Sequence, residues 1–367
     1  MTTPPLSATP PGEQEITHEI AYPRLMVLSI ITRLLVDTAA QCFNPFLTIF
    51  ATGLNVSVVT MGQLLSLRGI MGLTAPLIGS LADQQGYRRV MRLMLVAIIV
   101  GLLLVAGSPT IAVALGGFMI MGIGLSGFVP TLHAYLSSRL PYHKRARGLG
   151  MLEYSWALAG IVGLYTMGQL IALTNWRVPL FVLAAGLSVM WFVLGALPAA
   201  RRKPTQHGVK AAGSPTAAST LPAWPTRFGR FFRLGERARS AYSAIAAGTL
   251  LFFAGMQLFV AHGAWLNFEY NLGAAALGTV ALVLGCFDLS ASVSVSLFTD
   301  RIGKLRSVLL GVSGVFLGYL FMPFLNGSLL GAMVGIIITR TAFEFGIVSH
   351  ISLISEQIPE QRGKLMS

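Results

Sequence analysis

The sequence predicts an all-α polytopic membrane protein. Three observations predict it: charge is scarce, the apolar residues come in runs long enough to cross a bilayer, and the basic residues collect in alternate connections. The 367-residue chain is 54% hydrophobic and 11% charged, with a mean hydropathy of +0.72. A soluble domain carries about 25% charged residues. A helix crossing the hydrocarbon core needs about 20 mostly apolar residues. Ten such runs follow one another, at 25–53, 57–82, 90–107, 110–138, 146–171, 177–198, 241–265, 272–299, 306–325 and 328–355.

The lead-in, residues 1–23, is polar and expected to be disordered. It carries Pro4, Pro5, Pro10 and Pro11 and the acidic Glu13, Glu15 and Glu19, without the basic start and apolar centre of a secretion signal. The connections Gly53–Val56, Gly107–Thr110 and Asn326–Ser328 are too short to hold a soluble domain. The connection 199–239 is long and rich in Pro, Ala, Ser, Thr and Arg, so it reads as a flexible linker. Three segments follow: an N-terminal six-helix bundle at 24–198, the linker, and a C-terminal bundle at 240–367. Cys42 and Cys286 both fall in apolar runs and read as small buried hydrophobes, with no disulfide framework and no metal spacing.

Orientation follows from where Lys and Arg fall. One side holds Arg24, Arg88, Arg89, Arg92, Arg139, Lys144, Arg145, Arg147, the basic residues of the linker, Arg301, Lys304, Arg306, Arg362 and Lys364. The opposite side holds only Arg177. The N-terminus and the linker are therefore expected in the cytoplasm. The same asymmetry accounts for most of the formal +13 charge. A pI near 10.3 then reflects topology and contact with anionic lipid rather than nucleic-acid binding.

A repeat is visible. The turn after the second run reads Gly79-Ser80-Leu81-Ala82-Asp83-Gln84-Gln85-Gly86-Tyr87-Arg88-Arg89. The turn after the eighth reads Ser296-Leu297-Phe298-Thr299-Asp300-Arg301-Ile302-Gly303-Lys304-Leu305-Arg306. Pro141 to Gly148 and Pro359 to Gly363 echo one another at the exits of the fourth and tenth runs. Runs seven to ten thus repeat runs one to four. A complete second half would hold two more helices, so the expectation is a chain truncated after its tenth span.

The Gly79–Arg89 turn resembles the signature loop of the major facilitator superfamily, Gly-x-Leu-Ala-Asp-x-x-Gly-Arg-Arg, at Gly79, Leu81, Asp83, Gly86, Arg88 and Arg89. Trp176-Arg177, followed by Phe181, resembles the family's bacterial efflux branch. The resemblance covers about residues 24–367 and implies a two-bundle fold, six helices plus an incomplete second bundle of about four. It assigns the conformational motif to Gly79, Asp83, Gly86, Arg88 and Arg89, with the echo at Asp300, Gly303 and Arg306. On physical grounds Gly79 allows close helix approach and Gly86 a tight reversal. Asp83 is placed to cap the third span and to pair with Arg88 or Arg89. The resemblance further implies that Asp300 faces the start of the fifth. The sequence departs from the proton-antiporter branch in the fifth span, where Gly163-Leu164-Tyr165-Thr166-Met167-Gly168 lacks that branch's Gly-Pro-x-x-Gly-Gly.

Ionisable groups at membrane depth are costly and face a cavity or a partner. Arg33, Asp37, Gln41 and Asn44 share one face of the first span by their spacing. Asp37, Arg68, Asp288 and Glu344 all lie roughly 18–22 Å along their helices from the basic side, at about 1.5 Å per residue. They form a layer near the midplane, in which Asp37 is expected to pair with Arg68. Arg340 and Glu344, four apart, either neutralise one another or face the cavity. Gln257 and Trp265 could contact substrate, Trp265 equally reading as an interfacial anchor, and Glu153 lies nearer the basic side, where it reads as the partner of a loop arginine or as a proton-coupling group. His133, His262 and His350 read as packed or interfacial, and Gly160 and Gly163 as helix-packing positions. The candidate substrate and proton pathway is therefore Arg33, Asp37, Gln41, Asn44, Arg68, Gln257, Asp288, Arg340 and Glu344.

The sequence holds no nucleotide-binding loop, zinc spacing or nucleophile elbow. No cofactor is expected, and an enzyme is not. The resemblance implies a secondary transporter of small organic molecules in the plasma membrane, working by alternating access and exporting in exchange for protons through Asp37 or Glu344. The expected partners are a small-molecule substrate, protons and the lipid bilayer, and the expected assembly is a monomer. The alternatives are an uptake or facilitated-diffusion permease, and a non-transporting or inactive member.

Overall fold

In the computed structural model the described residues are 22–140, 142–195 and 238–357. The expected disordered lead-in (to residue 21) and linker (to residue 237) lie outside them. Each of the ten expected spans is helical, and no strand occurs among the described residues. The helices are α1 (Tyr22–Gln41), α2 (Leu47–Gly53), α3 (Val58–Ile70), α4 (Ala75–Gln85), α5 (Tyr87–Ala106), α6 (Ile111–Arg139), α7 (Tyr142–Leu158), α8 (Tyr165–Leu173), α9 (Val178–Gly195), α10 (Ala238–Tyr270), α11 (Ala274–Ile302), α12 (Lys304–Leu325) and α13 (Leu329–Gln357).

Three spans are interrupted. The first breaks into α1 and α2 around Asn44-Pro45, where proline has no N–H to continue the helix. The second passes through a short 3₁₀ turn, Met71–Thr74, before Pro76. The fifth widens into a π-helical turn at Ala159–Leu164, between α7 and α8. Such turns loosen the backbone ladder and recur at functional sites.

The sequence repeat is also a backbone repeat. Gly86 and Gly303 reverse the chain between α4 and α5 and between α11 and α12, with φ/ψ of 93°/136° and 95°/134°. That region is closed to residues with a Cβ, which is why both turns carry glycine. At the opposite end Asn55 and Asn271 both take left-handed φ, 56° and 53°. Asparagine tolerates that conformation better than other side chains.

Within the first half α5 packs on α6 and α9, and α1 on α7. Within the second, α13 packs on α10, α11 and α12. The halves meet away from the basic loops. There α8 and the π turn lie along α11, and a methyl group placed on Gly168 would sit 2.7 Å from the Gly278 backbone. Gly160 faces Gly285 in the same seam, and Gly263 of α10 faces Pro45. Small residues of this kind let membrane helices touch backbone to backbone. Gly163 packs on Thr38, in keeping with its expected role.

The outer surface is apolar. Leu73, Leu173 and Phe324 are each 81% exposed, and apolar faces run the length of α3–α4 and α12. A surface of this extent would aggregate in water and is at home in lipid. Among the described residues nine helical segments are long and apolar enough to span by themselves, and α1 with α2 covers the remaining expected span. Cys42 is buried as expected, whereas Cys286 is exposed on α11.

Candidate functional site

A cavity of about 660 Å³ lies between the halves, on the basic-loop side of their glycine seam. Its lining comes from the ends of α6, α7, α10, α11 and α13 nearest the basic loops. The far wall is an aromatic pair. Trp156 of α7 stacks on Phe259 of α10, ring centroids 5.7 Å apart and planes 26° from parallel. Beyond the pair lies a void of about 10 Å³, bordered by Gln41, Pro45, Gly160, Gly285 and His262. The Gln41 amide donates to the Trp156 carbonyl at 3.1 Å and ties α1 to this pair.

On the first-half side the polar face of α1 supplies a charge cluster. Arg33 Nε donates to both Asp37 carboxylate oxygens, at 3.1 and 3.0 Å. The four-residue spacing puts the two on one face, and both are buried, at 5% and 3% exposure. Ser155 Oγ reaches Asp37 at 2.7 Å. The guanidinium also donates to Glu153 at 3.3 Å and lies 3.0 Å from His133 Nε2. The same His133 nitrogen is 3.1 Å from Glu153. Arg33 can only donate and an ionised Glu153 can only accept, so this one nitrogen cannot serve both. With its hydrogen on Nδ1 the neutral ring accepts from Arg33 at Nε2; with a hydrogen on Nε2, as the other neutral tautomer or as the imidazolium, it donates to Glu153.

On the second-half side Arg340 pairs with Asp288 and lies over the Phe259 ring, 4.4 Å from its centroid. Glu344, one turn further along α13, accepts from Ser292 at 2.9 Å. Asp288, Arg340 and Glu344 line the cavity, as do His133 and Glu153. Arg33 and Asp37 stand one layer behind Glu153.

Several expected placements differ. Asp37 does not pair with Arg68: the i,i+4 arginine on its own helix is nearer. The Arg68 guanidinium instead lies 5.7 Å from the Phe43 ring, with Nη1 buried and without a hydrogen bond. Gln257 is exposed and outside the cavity, because Met256 and Phe259 take the inward positions of α10. Asn44 is buried in the α1–α2 turn, not along the path. Gly79 meets open space where close helix approach was expected. Asp83 accepts from Tyr87 at 2.9 Å, and the start of α5 has no side-chain cap. Arg89 and Arg306 are exposed; Gly86 and Gly303 make the expected reversals. The Asp300 side chain lies outside the described residues. His262 is packed as expected, its Nδ1 against helix carbonyls. His133, Glu153, Ser155 and Trp156 were missed as site residues. For His133 and Glu153 the signal was an ionisable residue inside an apolar run.

The profile of the Major Facilitator Superfamily matches residues 29–367. The chain belongs to that family. It is a multi-pass membrane transporter and not an enzyme. It is 26% identical to the uncharacterized MFS-type transporter YwfA of Bacillus subtilis over 358 residues, covering 94% of this chain and 81% of the relative. It is 30% identical to the multi-drug resistance efflux pump PmrA homolog of Lactococcus lactis over 189 residues, 49% of this chain and 43% of that one. Among solved structures it resembles a bacterial homolog of the human lysosomal transporter Spinster, in an inward-facing and unoccupied conformation. The TM-score is 0.72 at 13% identity, over 95% of this chain and 78% of that one. The likeness is one of fold.

Proposed function

We propose that this member of the superfamily is a proton-coupled exporter of small organic molecules in the plasma membrane, seen facing inward. The observation that carries the reading is the asymmetry of the cavity. It is about 660 Å³ on the basic-loop side of Trp156 and Phe259 and about 10 Å³ beyond them. If the basic loops are cytoplasmic, as their charge indicates, substrate enters from the cytoplasm. The halves, 24–198 and 240 onward, then rock about the midplane to open the glycine seam.

The proton reading rests on two places. In the Arg33–Asp37–Glu153–His133 cluster, a proton arriving at His133 Nε2 moves its hydrogen bond from Arg33 to Glu153, and so changes the hold of α1 on α6 and α7. Glu344 is a second proton acceptor in the cavity wall. The partial likeness to an efflux pump favours export. The protein works as a monomer, because the cavity is completed within one chain, with lipid covering its apolar surface.

The test is transport in proteoliposomes containing the purified chain. An outward-directed substrate flux should appear when a proton gradient directed inward is imposed, and should fall when the gradient is collapsed. Flux indifferent to the gradient would remove proton coupling, and flux in the opposite sense would favour uptake.

A further inference from the structure

We infer that the cavity takes an organic cation: a largely apolar or aromatic body carrying one ammonium-like positive charge. The inference rests on the transporter reading and names the substrate class for the same cavity.

Charge is the first ground. Around the cavity two guanidinium groups, Arg33 and Arg340, stand against four carboxylates, Asp37, Glu153, Asp288 and Glu344. Arg33 is committed to Asp37 and Arg340 to Asp288. Glu153 shares Arg33 and His133 and keeps a side chain that is 57% exposed to the cavity. Glu344 is met by one neutral donor, Ser292. A carboxylate in an apolar wall without a cation of its own is costly, and a positively charged ligand removes that cost.

The wall chemistry is the second ground. Trp156, Phe259, Phe252 and Phe343 present ring faces or edges to the space. Ring faces attract diffuse cations, most strongly where water is excluded. Arg340 already shows the preference, lying over Phe259. The α10 and α13 walls add Met256, Ile347 and Val348, which suit an apolar body and offer a polyol few hydrogen bonds. An anion would face Glu344, which has only the Ser292 hydroxyl as a close partner, and the exposed edge of Glu153.

Tetraphenylphosphonium and the anion tetraphenylborate share one shape and differ in the sign of their charge; uncharged triphenylphosphine oxide carries one ring fewer, so its indifference to Glu344→Gln is the informative readout. Their binding to the detergent-purified full chain, corrected with empty micelles, tests the inference. Saturable tetraphenylphosphonium binding is expected, with Glu344→Gln weakening it by about tenfold or more and Glu344→Asp retaining most of it. Triphenylphosphine oxide should bind more weakly and ignore Glu344→Gln. An unchanged melting temperature in Glu344→Gln shows that the fold is intact. No saturable cation binding, neutral or anionic probes binding as tightly, or a Glu344→Gln effect within about twofold would overturn the inference. Cation binding without transport under any gradient would sink the transporter reading and leave the site standing. Gradient-driven transport of another compound, with no cation bound, would do the reverse.

Discussion

Trp156 of the first half stacks on Phe259 of the second, 5.7 Å between ring centroids, and the pair divides an open cavity from a nearly closed one. It is the point where the cavity, the polar face of α1 and the Arg340–Asp288 pair converge. Gln41 holds the Trp156 backbone, and Arg340 covers the other partner's ring.

The stack should couple the halves. Aromatic pairs contribute about 0.5–1.5 kcal/mol beyond their burial. A double-mutant cycle of Trp156→Ala and Phe259→Ala, read by melting in detergent, should show a coupling of about 1 kcal/mol. Additive losses would mean that the rings pack independently.

Arg33 should be more costly to remove alone than with its partner. Arg33→Ala leaves Asp37 buried without its cation, a loss of about 3–5 kcal/mol. Replacing both Arg33 and Asp37 with apolar residues of similar volume should cost less. Thermal unfolding of the two variants checks the order, and a double variant as unstable as Arg33→Ala would contradict it.

His133 should matter to coupling rather than to folding. Its Nε2 lies near a donor-only group and an acceptor-only group, so its proton decides the contact. His133→Ala is expected to melt near the wild-type temperature and to lose about a hundredfold of gradient-driven flux, the lower end of the range general for a positioned proton-transfer group. Full gradient dependence in His133→Ala would remove it from the proton path.

The two signature turns should respond alike. Gly86→Ala and Gly303→Ala each force a Cβ into a backbone region that only glycine occupies freely, at a cost of about 1–3 kcal/mol. Their dihedrals differ by only a few degrees, so similar losses of melting temperature are expected. A loss at one turn and none at the other would contradict the backbone repeat.

The spans, the signature turn and its echo were legible in the sequence, because apolar run length and glycine punctuation are local signals. The break at Asn44-Pro45 was equally local, and an Asn-Pro pair inside an apolar run is its mark. The partner of Asp37 was half legible. The i,i+4 spacing to Arg33 was noted, but depth along separate helices suggested Arg68 instead. Depth places residues in a layer without saying which helices are neighbours. For the same reason His133 read as isolated: Glu153 lies on the next helix, and only packing brings Arg33 to both. Gln257 was misplaced because a one-residue rotation of α10 decides between cavity and surface.

The central claim is that two halves alternate access about the Trp156–Phe259 level. Paired spin labels test it most directly, in a background with Cys42→Ala and Cys286→Ala. One pair, Leu173→Cys with Leu330→Cys, spans the seam end; the other, Gln85→Cys with Leu305→Cys, spans the basic-loop end. All four positions are exposed. On adding tetraphenylphosphonium or imposing acid, the account predicts a population in which the first distance lengthens while the second shortens. Distances that stay fixed under every condition, or that change in the same direction at both ends, would contradict it.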